Sequence, residues 1–395
     1  MANLAAPAPG AVANFAKRLR VLHVNSGNLY GGVETILATL ARLRHLCPSM
    51  EPSFALCHEG RLSRELTATG APVHLIGQVR VRHPLTVWRA RRRMRELLRR
   101  ERFDAVICHM SWTEAVFGPV VRSSQIPLVF YVHNRVEGRN WLERWARFAA
   151  RPDLALCVSH DTARTCPSMY PTVRREVIYS PMPMIQSQPL DQERPHVRAE
   201  LQTSEHATVL LQVSRMEAWK GHAFLLEALG RLEKRSDWVC WIVGGPQTPA
   251  ERIYAEGLKA QAVRLGIADR VRFAGERTDV ARVMAAADVL CQPNRSTEGF
   301  SIVFMEAFLA SLPIVTSALG GALEMVDDSC GRLIPLDDMD ALTAALRELL
   351  DKPDLRKALG RSGYNRVHQL CDPATQMSKL KGVLAGLANG KLGSH

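Results

Sequence analysis

The chain has 395 residues, of which 47% are hydrophobic and 23% are charged, a composition typical of globular proteins. At roughly 100–200 residues per domain, this length predicts two domains, with three as the alternative. The formal net charge of +12 indicates an anionic partner, which leaves nucleic acid, an anionic membrane surface and an anionic substrate open. The nine cysteines include no C-x-x-C pair, which predicts reduced, buried thiols and argues against a disulfide framework or a zinc site.

The N-terminus has no charged segment ahead of a long apolar core, so we expect no signal peptide. The longest uncharged stretch, residues 307–323, contains Pro313, Gly320 and Gly321 and lacks the pattern of a membrane span. We therefore expect a cytoplasmic protein. Peripheral attachment at the inner face of a membrane stays open because of an arginine-rich segment described below.

Apolar strands alternate with helical patterns along the first half of the chain. The strand at 20–24 is followed by a glycine-bearing loop at 27–32 and a helical pattern from Val33 onward. Further strand patterns follow at 105–108, 128–132 and 154–158. This alternation predicts a parallel sheet with helices on both faces.

A proline-broken stretch then interrupts the alternation, which restarts in the second half. The strand patterns of that half lie at 209–213, 238–243, 271–273, 289–291 and 314–316. The fold class is therefore predicted as α/β, with two Rossmann-like doubly wound domains around a central cleft. Such sheets bind ligands at the carboxyl ends of their strands, so the cleft is the expected site.

The predicted organisation has five segments. They are a flexible tail at 1–18, a first Rossmann-like domain at 19–183, a linker at 184–195, a second Rossmann-like domain at 196–372, and a C-terminal segment at 373–395.

Eight arginines and only two acids lie between Arg89 and Arg102. Val87, Ala90, Met94, Leu97 and Leu98 recur at helical spacing, so the arginines cover the remaining faces of a helix. Two interpretations remain open, a solvated helix face and attraction to anionic lipid or an anionic acceptor. Nucleic-acid binding is not expected, because interleaved aromatic residues and known modules are lacking.

The densest chemical signal lies at residues 293–307. A polar loop follows the strand at 289–291, Ser301 is a candidate N-cap, and the helix is predicted to run to about Ser311 because Leu312 precedes a proline. Gly299 allows the backbone to approach a ligand closely. The free amides of Ile302 and Val303 then form an anion site at a helix N-terminus.

Glu298 and Glu306 are eight residues apart in this stretch. On one helix that offset corresponds to roughly 12 Å along the axis, so the two carboxylates are not an acid–base dyad. Glu298 is expected in the loop and Glu306 in the helix, so that they contact different parts of one long ligand. From the residues alone, two solvated acids at a strand–helix junction explain the pattern equally well.

Arg215 and Lys220 lie between the strand at 209–213 and a helical pattern. Two cations at the carboxyl end of a strand are suited to hold a diphosphate and to stabilise the charge that grows on it in a reaction. The alternative is two solvated bases. His133 ends another apolar strand, and Gly31 and Gly32 form a loop that lacks the dinucleotide-binding spacing.

The segments 298–306 and 312–326 resemble the E-x7-E motif and the proline–strand–Gly–Gly–x–x–Glu continuation of the family four glycosyltransferases, which have the GT-B fold. The segment 213–221 resembles the Gly-Arg…Lys-Gly segment of the same family. The similarity covers roughly residues 20–388 and is strongest at 209–326. Ser214, Ser180-Pro181 and Ser311 depart from the glycine, Asn-Gly and glycine that are usual in the family.

The resemblance implies a role for each matching residue. Glu298 would lie by the donor sugar, Glu306 would bind the ribose hydroxyls, Arg215 and Lys220 would bind the pyrophosphate, and His133 would lie next to the transferred sugar. Further donor contacts are implied for the loops and backbone that frame the nucleotide. They are Gly31, Gly32, Gly244, Arg277 near the base, Gly299, Phe300, Ser301, Ile302 and Val303.

The resemblance also implies the reaction, which is retaining, metal-independent transfer of a hexosyl group from a nucleotide-sugar to a hydroxyl acceptor such as a lipid-linked or glycan intermediate. A UDP-sugar is the first expected donor and GDP-mannose the second, and no cofactor is expected. The C-terminal segment is expected to return as a helix onto the first domain. The alternatives are a sugar-nucleotide epimerase of the same fold and an inactive scaffold that binds a membrane or a partner.

Overall fold

The computed structural model describes residues 18–184, 192–232 and 234–390. The predicted flexible tail lies outside these residues except for Arg18, as does most of the predicted linker. The described chain forms two parallel sheets of seven and six strands with flanking helices, which confirms the predicted pair of Rossmann-like α/β domains.

The first domain begins directly with a buried strand. Its seven strands, β1 to β7, span Leu19–Asn25, Met50–Leu56, Val73–Leu75, Ala105–His109, Leu128–Val132, Leu154–Cys157 and Arg175–Val177. Its helices, α1 to α6, span Gly32–Arg42, Arg61–Ala68, Pro84–Arg100, Met110–Ser123, Trp141–Ala149 and His160–Thr165. The strand order is β3-β2-β1-β4-β5-β6-β7, so the order reverses between β1 and β4.

The second domain repeats this plan. Its six strands, β8 to β13, span Thr208–Val213, Trp238–Val243, Val271–Gly275, Val289–Gln292, Ile314–Ser317 and Gly331–Ile334, in the order β10-β9-β8-β11-β12-β13. Its helices, α7 to α13, span Arg194–Glu200, His222–Gly230, Pro249–Arg264, Val280–Ala286, Ile302–Leu309, Ala322–Met325 and Met339–Asp351. Helix α7 thus begins inside the range predicted as linker.

Two long helices complete the chain. Helix α14 spans Pro353–Cys371 and helix α15 spans Pro373–Ala388. Helix α15 contacts the short helical turn Arg44–Leu46 of the first domain, so the chain crosses between the domains a second time. One cluster of buried apolar residues includes side chains from both sheets, such as Val21 and Tyr131 in the first and Val209 and Trp241 in the second. The two domains therefore share a continuous apolar contact.

The helix after Glu298 is shorter than predicted. Helix α11 ends at Leu309, and Ser311 has a φ of +56°, the left-handed conformation in which glycine is usual. Ser301 takes the N-cap position without a capping hydrogen bond from its side chain. No helix in the described ranges is long and apolar enough to cross a membrane.

Candidate active site

The cleft between the domains contains a cavity of about 290 Å³ at the carboxyl ends of the strands. Its walls come from β1 and β5 of the first sheet and from β8 and β11 of the second, through the loops that follow these strands. In both sheets this is the place where the strand order reverses, which is where doubly wound folds bind their ligands.

The cavity brings together most of the charged residues that the sequence singled out. The site residues that line it are Gly32, His133, Arg215, Lys220, Glu298, Phe300, Ile302 and Val303. The remaining site residues, Gly31, Gly244, Gly299, Ser301, Glu306 and Arg277, do not line it. Gly31, Gly299 and Ser301 are next in the chain to residues that line it. Glu306 lies on α11 with Ile302, and Gly244 packs against Ser214, which also lines the cavity. Arg277 has no such relation to the cavity.

The Lys220 ammonium and the Glu298 carboxylate form the charged centre of the cavity. Lys220 Nζ donates to Glu298 Oε1 at 2.8 Å, and Asn294 Nδ2 donates to the other oxygen, Oε2, at 3.0 Å. The ammonium also lies 4.1 Å from the centroid of the Trp219 ring, which stabilises a cation. These contacts hold the Lys220 ammonium and the Glu298 carboxylate in fixed positions at the wall of the cavity.

The backbone of Gly221 explains why Lys220 is followed by glycine. Gly221 has a φ of +79°, and a Cβ at this position would lie 1.9 Å from the carbonyl oxygen of Pro293. Only glycine fits a left-handed turn this close to another strand end. The turn directs Lys220 toward the loop that carries Glu298.

Arg215 is held by two carboxylates on the second domain. Its guanidinium forms an ion pair with Glu251, and Nη1 lies 3.4 Å from Glu217 Oε1. Glu251 occupies the third position of α9, after the N-cap Thr248, and is itself mostly buried. Arg215 therefore lines the cavity as an anchored cation, a type of side chain that is suited to bind a phosphate.

The N-terminus of α11 supplies backbone donors at the same cavity. The first amides of a helix have no partner within the helix, and both Ile302 and Val303 line the cavity. A Cβ on Gly321 would lie 2.0 Å from the carbonyl oxygen of Gly299. The loop that contains Gly320 and Gly321 therefore packs tightly against the residues just before α11. The tight packing holds the amides in place.

Glu306 lies one turn into α11, about 6 Å along the axis from Ile302 and on nearly the same face. Its half-buried carboxylate has no hydrogen-bond partner among the described residues. Burial raises the pKa of Glu306 to about 7. A carboxylate that is desolvated and unpaired in the free protein is suited to accept hydrogen bonds from a ligand.

His133 lines the cavity from the first domain, directly after β5. Its ring is 6% exposed, and burial lowers the pKa of His133 to about 3, so the ring is neutral at physiological pH. Nε2 of His133 lies 2.9 Å from Nδ1 of His109. A second cavity of about 280 Å³, formed mainly by α4, β5 and α5, also reaches His133 and Asn134.

Close contacts join the two domains next to the cavity. A Cβ on Gly299 would lie 1.9 Å from the carbonyl oxygen of His133, and the Tyr179 and Phe300 rings stack at 4.9 Å. The Glu324 carboxylate accepts hydrogen bonds from the amides of His160 and Asp161 at 3.0 and 2.8 Å, and from the Tyr179 hydroxyl at 3.0 Å. Glu324 of the second domain thus caps helix α6 of the first.

Arg277, which the family resemblance places near the nucleotide base, is engaged elsewhere. Its guanidinium donates to both carboxylate oxygens of Asp279 at 2.8 and 2.6 Å and pairs with Glu200. These bonds hold Arg277 at the junction of α7 and α10, away from the cavity. Five further residues of the site were missed by sequence reasoning, namely His109, Trp219, Glu251, Asn294 and Glu324 as a domain contact. Glu251 has a local signal, the Thr-x-x-Glu capping pattern. Glu324 ends the Gly–Gly–x–x–Glu segment of the family motif, but that segment does not indicate a contact between the domains.

Two family models match the chain and together cover most of its length. The model described as Glycosyltransferase Family 4 matches residues 30–182, and the model described as Glycosyl transferases group 1 matches residues 193–366. The two matched ranges correspond to the two Rossmann-like domains.

Curated relatives resemble part of the chain. An MMP alpha-(1->4)-mannosyltransferase of Mycolicibacterium hassiacum is 37% identical over an aligned region of 153 residues. This region covers 37% of the present chain and 35% of the length of that relative. A D-inositol 3-phosphate glycosyltransferase of Streptomyces coelicolor is 37% identical over a region that covers 42% of the present chain and 38% of the length of that relative. The chain therefore aligns with well under half the length of these relatives.

Solved structures share the whole architecture at low identity. Anabaena HepE in complex with UDP-glucose superposes with a TM-score of 0.81 and 20% identity, over 93% of this chain and all of that chain. WaaG, a glycosyltransferase involved in lipopolysaccharide biosynthesis, superposes with a TM-score of 0.70 and 18% identity over the same shares. These similarities establish the fold. The chain belongs to glycosyltransferase family four and has the GT-B architecture.

Proposed function

We propose that this protein is a retaining, metal-independent hexosyltransferase that moves a sugar from a nucleotide-sugar to a hydroxyl of a lipid-linked or glycan acceptor. One observation carries the proposal. The cavity joins two anchored cations, a helix N-terminus and the Glu298 carboxylate of the second domain to a neutral histidine of the first.

The donor diphosphate fits between Arg215, Lys220 and the amides of Ile302 and Val303, because these groups are cationic or donate hydrogen bonds. The ribose hydroxyls would donate to Glu306. The sugar then lies between Glu298 and His133, where both domains contact it. In the free protein each cation is paired with a carboxylate, and the diphosphate would share these cations when it binds.

In the proposed reaction, the acceptor hydroxyl attacks the anomeric carbon from the face that the diphosphate leaves. The bond from the anomeric carbon to the acceptor oxygen forms as the bond to the phosphate oxygen breaks, and the electron pair departs with the diphosphate. The acceptor proton passes to the departing phosphate oxygen. Lys220 and Arg215 stabilise the charge that develops there, which is the largest contribution the site can make.

The acceptor would enter through the second cavity, whose lining at Trp112, Phe130 and Leu142 is apolar. A membrane-bound acceptor is favoured by the surface of helix α3, which contacts α4. Helix α3 exposes Leu85 and Trp88 among its arginines. Exposed apolar and basic groups on one helix attract an anionic bilayer.

Two donors have support. UDP-sugars are expected from the family resemblance, and a structural neighbour is seen in complex with UDP-glucose. GDP-mannose is supported by a Mycolicibacterium smegmatis relative, 32% identical over 45% of this chain, which is named as a GDP-mannose-dependent mannosyltransferase. The two donors differ in the base and in the configuration of the sugar at C2.

A thermal-shift panel of UDP-, GDP-, ADP- and TDP-sugars tests the proposal. A donor present at about 100 times its Kd stabilises the native state by about 2.7 kcal/mol. We expect a clear rise in Tm with UDP-glucose or GDP-mannose. A panel without any shift would refute the proposed donor site. Release of an epimerised donor in the absence of acceptor would instead favour the epimerase.

A further inference from the structure

Three buried histidines are joined in a row across the first sheet. His23 lies in β1, His109 ends β4, and His133 follows β5, and these strands are neighbours in the sheet. His23 Nδ1 lies 3.0 Å from His109 Nε2, and His109 Nδ1 lies 2.9 Å from His133 Nε2. His23 and His109 are each 1% exposed. The row thus leads from the protein interior to the cavity.

Burial keeps all three rings neutral. It lowers the pKa of His23 and of His133 to about 3, and it lowers the pKa of His109 well below the ordinary value, with smaller contributions from the other two rings. A neutral imidazole has one N–H donor and one bare nitrogen acceptor. Each ring in the row therefore carries a single proton.

Two hydrogen bonds among three neutral rings leave only two arrangements. Either every ring is protonated on Nδ1, or every ring is protonated on Nε2, because each bond joins an Nδ1 atom to an Nε2 atom. In any mixed arrangement, two protons or two lone pairs would face each other across 3 Å. The tautomer of His133 is thus coupled to the tautomers of His109 and His23.

The inner end of the row decides between the two arrangements. Nε2 of His23 is buried and has no hydrogen-bond partner among the described residues. Orphaned N–H groups are rarer in protein interiors than under-satisfied acceptors. Protonation on Nδ1 leaves a bare lone pair at this end, and protonation on Nε2 leaves an orphaned N–H. The Nδ1–H arrangement is therefore favoured.

The backbone around His109 holds its ring in place. Strand β4 passes into α4 without a loop, and Met110 at the junction has a φ of +73°. The left-handed conformation is unfavourable for a residue with a side chain. Thr113 Oγ1 donates to the carbonyl oxygens of His109 and Met110 at 2.5 and 2.9 Å. Backbone strain of this kind persists where the surroundings enforce it, often at functional sites.

We propose that His109 is a positioning residue that fixes His133 as the Nδ1–H tautomer, so that His133 acts on the bound sugar as a hydrogen-bond donor and not as a general base. Nε2 of His133 accepts from His109, and Nδ1 already carries the proton, so neither nitrogen is free to take a proton. The role toward the sugar rests on the proposed function, whereas the tautomer does not.

The first test is nuclear magnetic resonance of the protein labelled with ¹⁵N-histidine, with the rings assigned from His23→Phe, His109→Phe and His133→Phe variants. We expect three neutral rings at neutral pH, each protonated on Nδ1. A proton on Nε2 of His133, or a charged His133 ring, would overturn the proposal. This result does not depend on turnover, so a failure of the proposed glycosyl transfer is recognised separately.

The second test uses a matched pair of variants with the donor identified by thermal shift. In His109→Asn the amide nitrogen replaces Nδ1 and still donates to His133, whereas in His109→Gln it replaces Nε2 and contacts only His23. We expect kcat within about threefold of wild type for His109→Asn and about tenfold lower for His109→Gln, the effect of one hydrogen bond, with donor KM unchanged in both.

A purely structural His109 predicts another pattern. Turnover per folded molecule would then follow the Tm of each variant, and the shorter asparagine would be no better than glutamine. Equal kcat values for the two variants at similar Tm would refute the positioning role, and so would a lower kcat for His109→Asn than for His109→Gln.

Discussion

The contact between Gly299 and His133 provides the sharpest test of how the two domains cooperate. In Gly299→Ala the new Cβ would lie 1.9 Å from the carbonyl oxygen of His133 and 3.1 Å from Cγ2 of Thr162. Ordinary contact begins near 3.4 Å, so the facing backbones must separate by about 1.5 Å. A misplacement of about 1 Å in a catalytic site is enough to reduce a rate about 10²-fold.

The expected result for Gly299→Ala is a kcat reduced about 10²-fold with donor affinity close to wild type, because the proposed donor contacts belong mainly to the second domain. The measurements are kcat with saturating donor, Kd for the donor nucleotide, and Tm. Gly257→Ala is the control. It lies in α9 with no atom within 4 Å of the added Cβ, so turnover should be unchanged and stability should rise by roughly 0.5–1 kcal/mol.

Wild-type turnover of folded Gly299→Ala would refute this reasoning, because it would mean that the closed contact is absent when the reaction occurs. A large fall in Tm with normal turnover per folded molecule would have the same meaning.

Four further predictions concern the metal, the donor, the membrane and the domain contact. Turnover should persist in EDTA, since Arg215 and Lys220 take the diphosphate charge; loss in EDTA that magnesium or manganese restores would contradict this. Glu306 must be ionised to accept from ribose, so nucleotide-sugar affinity should rise with pH up to about 7 and then level off, and Glu306→Gln should abolish this dependence. Replacing the exposed arginines of α3 by serine should weaken binding to anionic vesicles by about 1 kcal/mol for each one, and a wild type that ignores such vesicles at low salt would exclude the membrane role. Glu324→Ala removes three hydrogen bonds between the domains, so the radius of gyration of the free protein should increase in small-angle scattering; an unchanged radius would speak against that role.

The arginines chosen for the vesicle experiment need to be free of structural contacts. Arg91 is not suitable, because its guanidinium donates to the carbonyl oxygens of Val116 and Ala115 in α4. Arg95 and Arg99 are exposed and form no such bonds with the part of the chain that the structure describes. Arg92, also exposed, pairs with Glu96 on the same helix, a contact of small energy.

Local pattern was enough to predict nine of the thirteen described strands, because each of these is a short apolar run between turns. It missed β2, β3, β7 and β13, which are three or four residues long or are interrupted by charged residues or proline. It also located the loop before α11, which contains Glu298 and Gly299. It did not place Lys220 beside Glu298, since these residues are 78 positions apart, and only the family resemblance connected them. The end of α11 was misjudged because Ser311 takes a conformation that its side chain disfavours.

No local sequence pattern could predict the contacts that depend on the order of the strands in the sheet. His23, His109 and His133 meet because β1, β4 and β5 are neighbours, an order that no local pattern specifies. The capping of α6 by Glu324 depends on how the two domains face each other. The ion pair between Arg277 and Glu200 depends on α7, which begins in a segment predicted as linker, whereas Asp279 is only two positions from Arg277.

The chain crosses between the domains twice, and the two crossings are joined. The amide of Met182, on the way to the second domain, donates to the carbonyl oxygen of Cys371, which ends α14 on the way back. Because the two crossings lie side by side, they form a single hinge, and the relative motion of the domains is restricted to rotation about it. Displacement on opening then grows with distance from the Met182–Cys371 pair, so the end of the cleft farthest from this pair would open most widely.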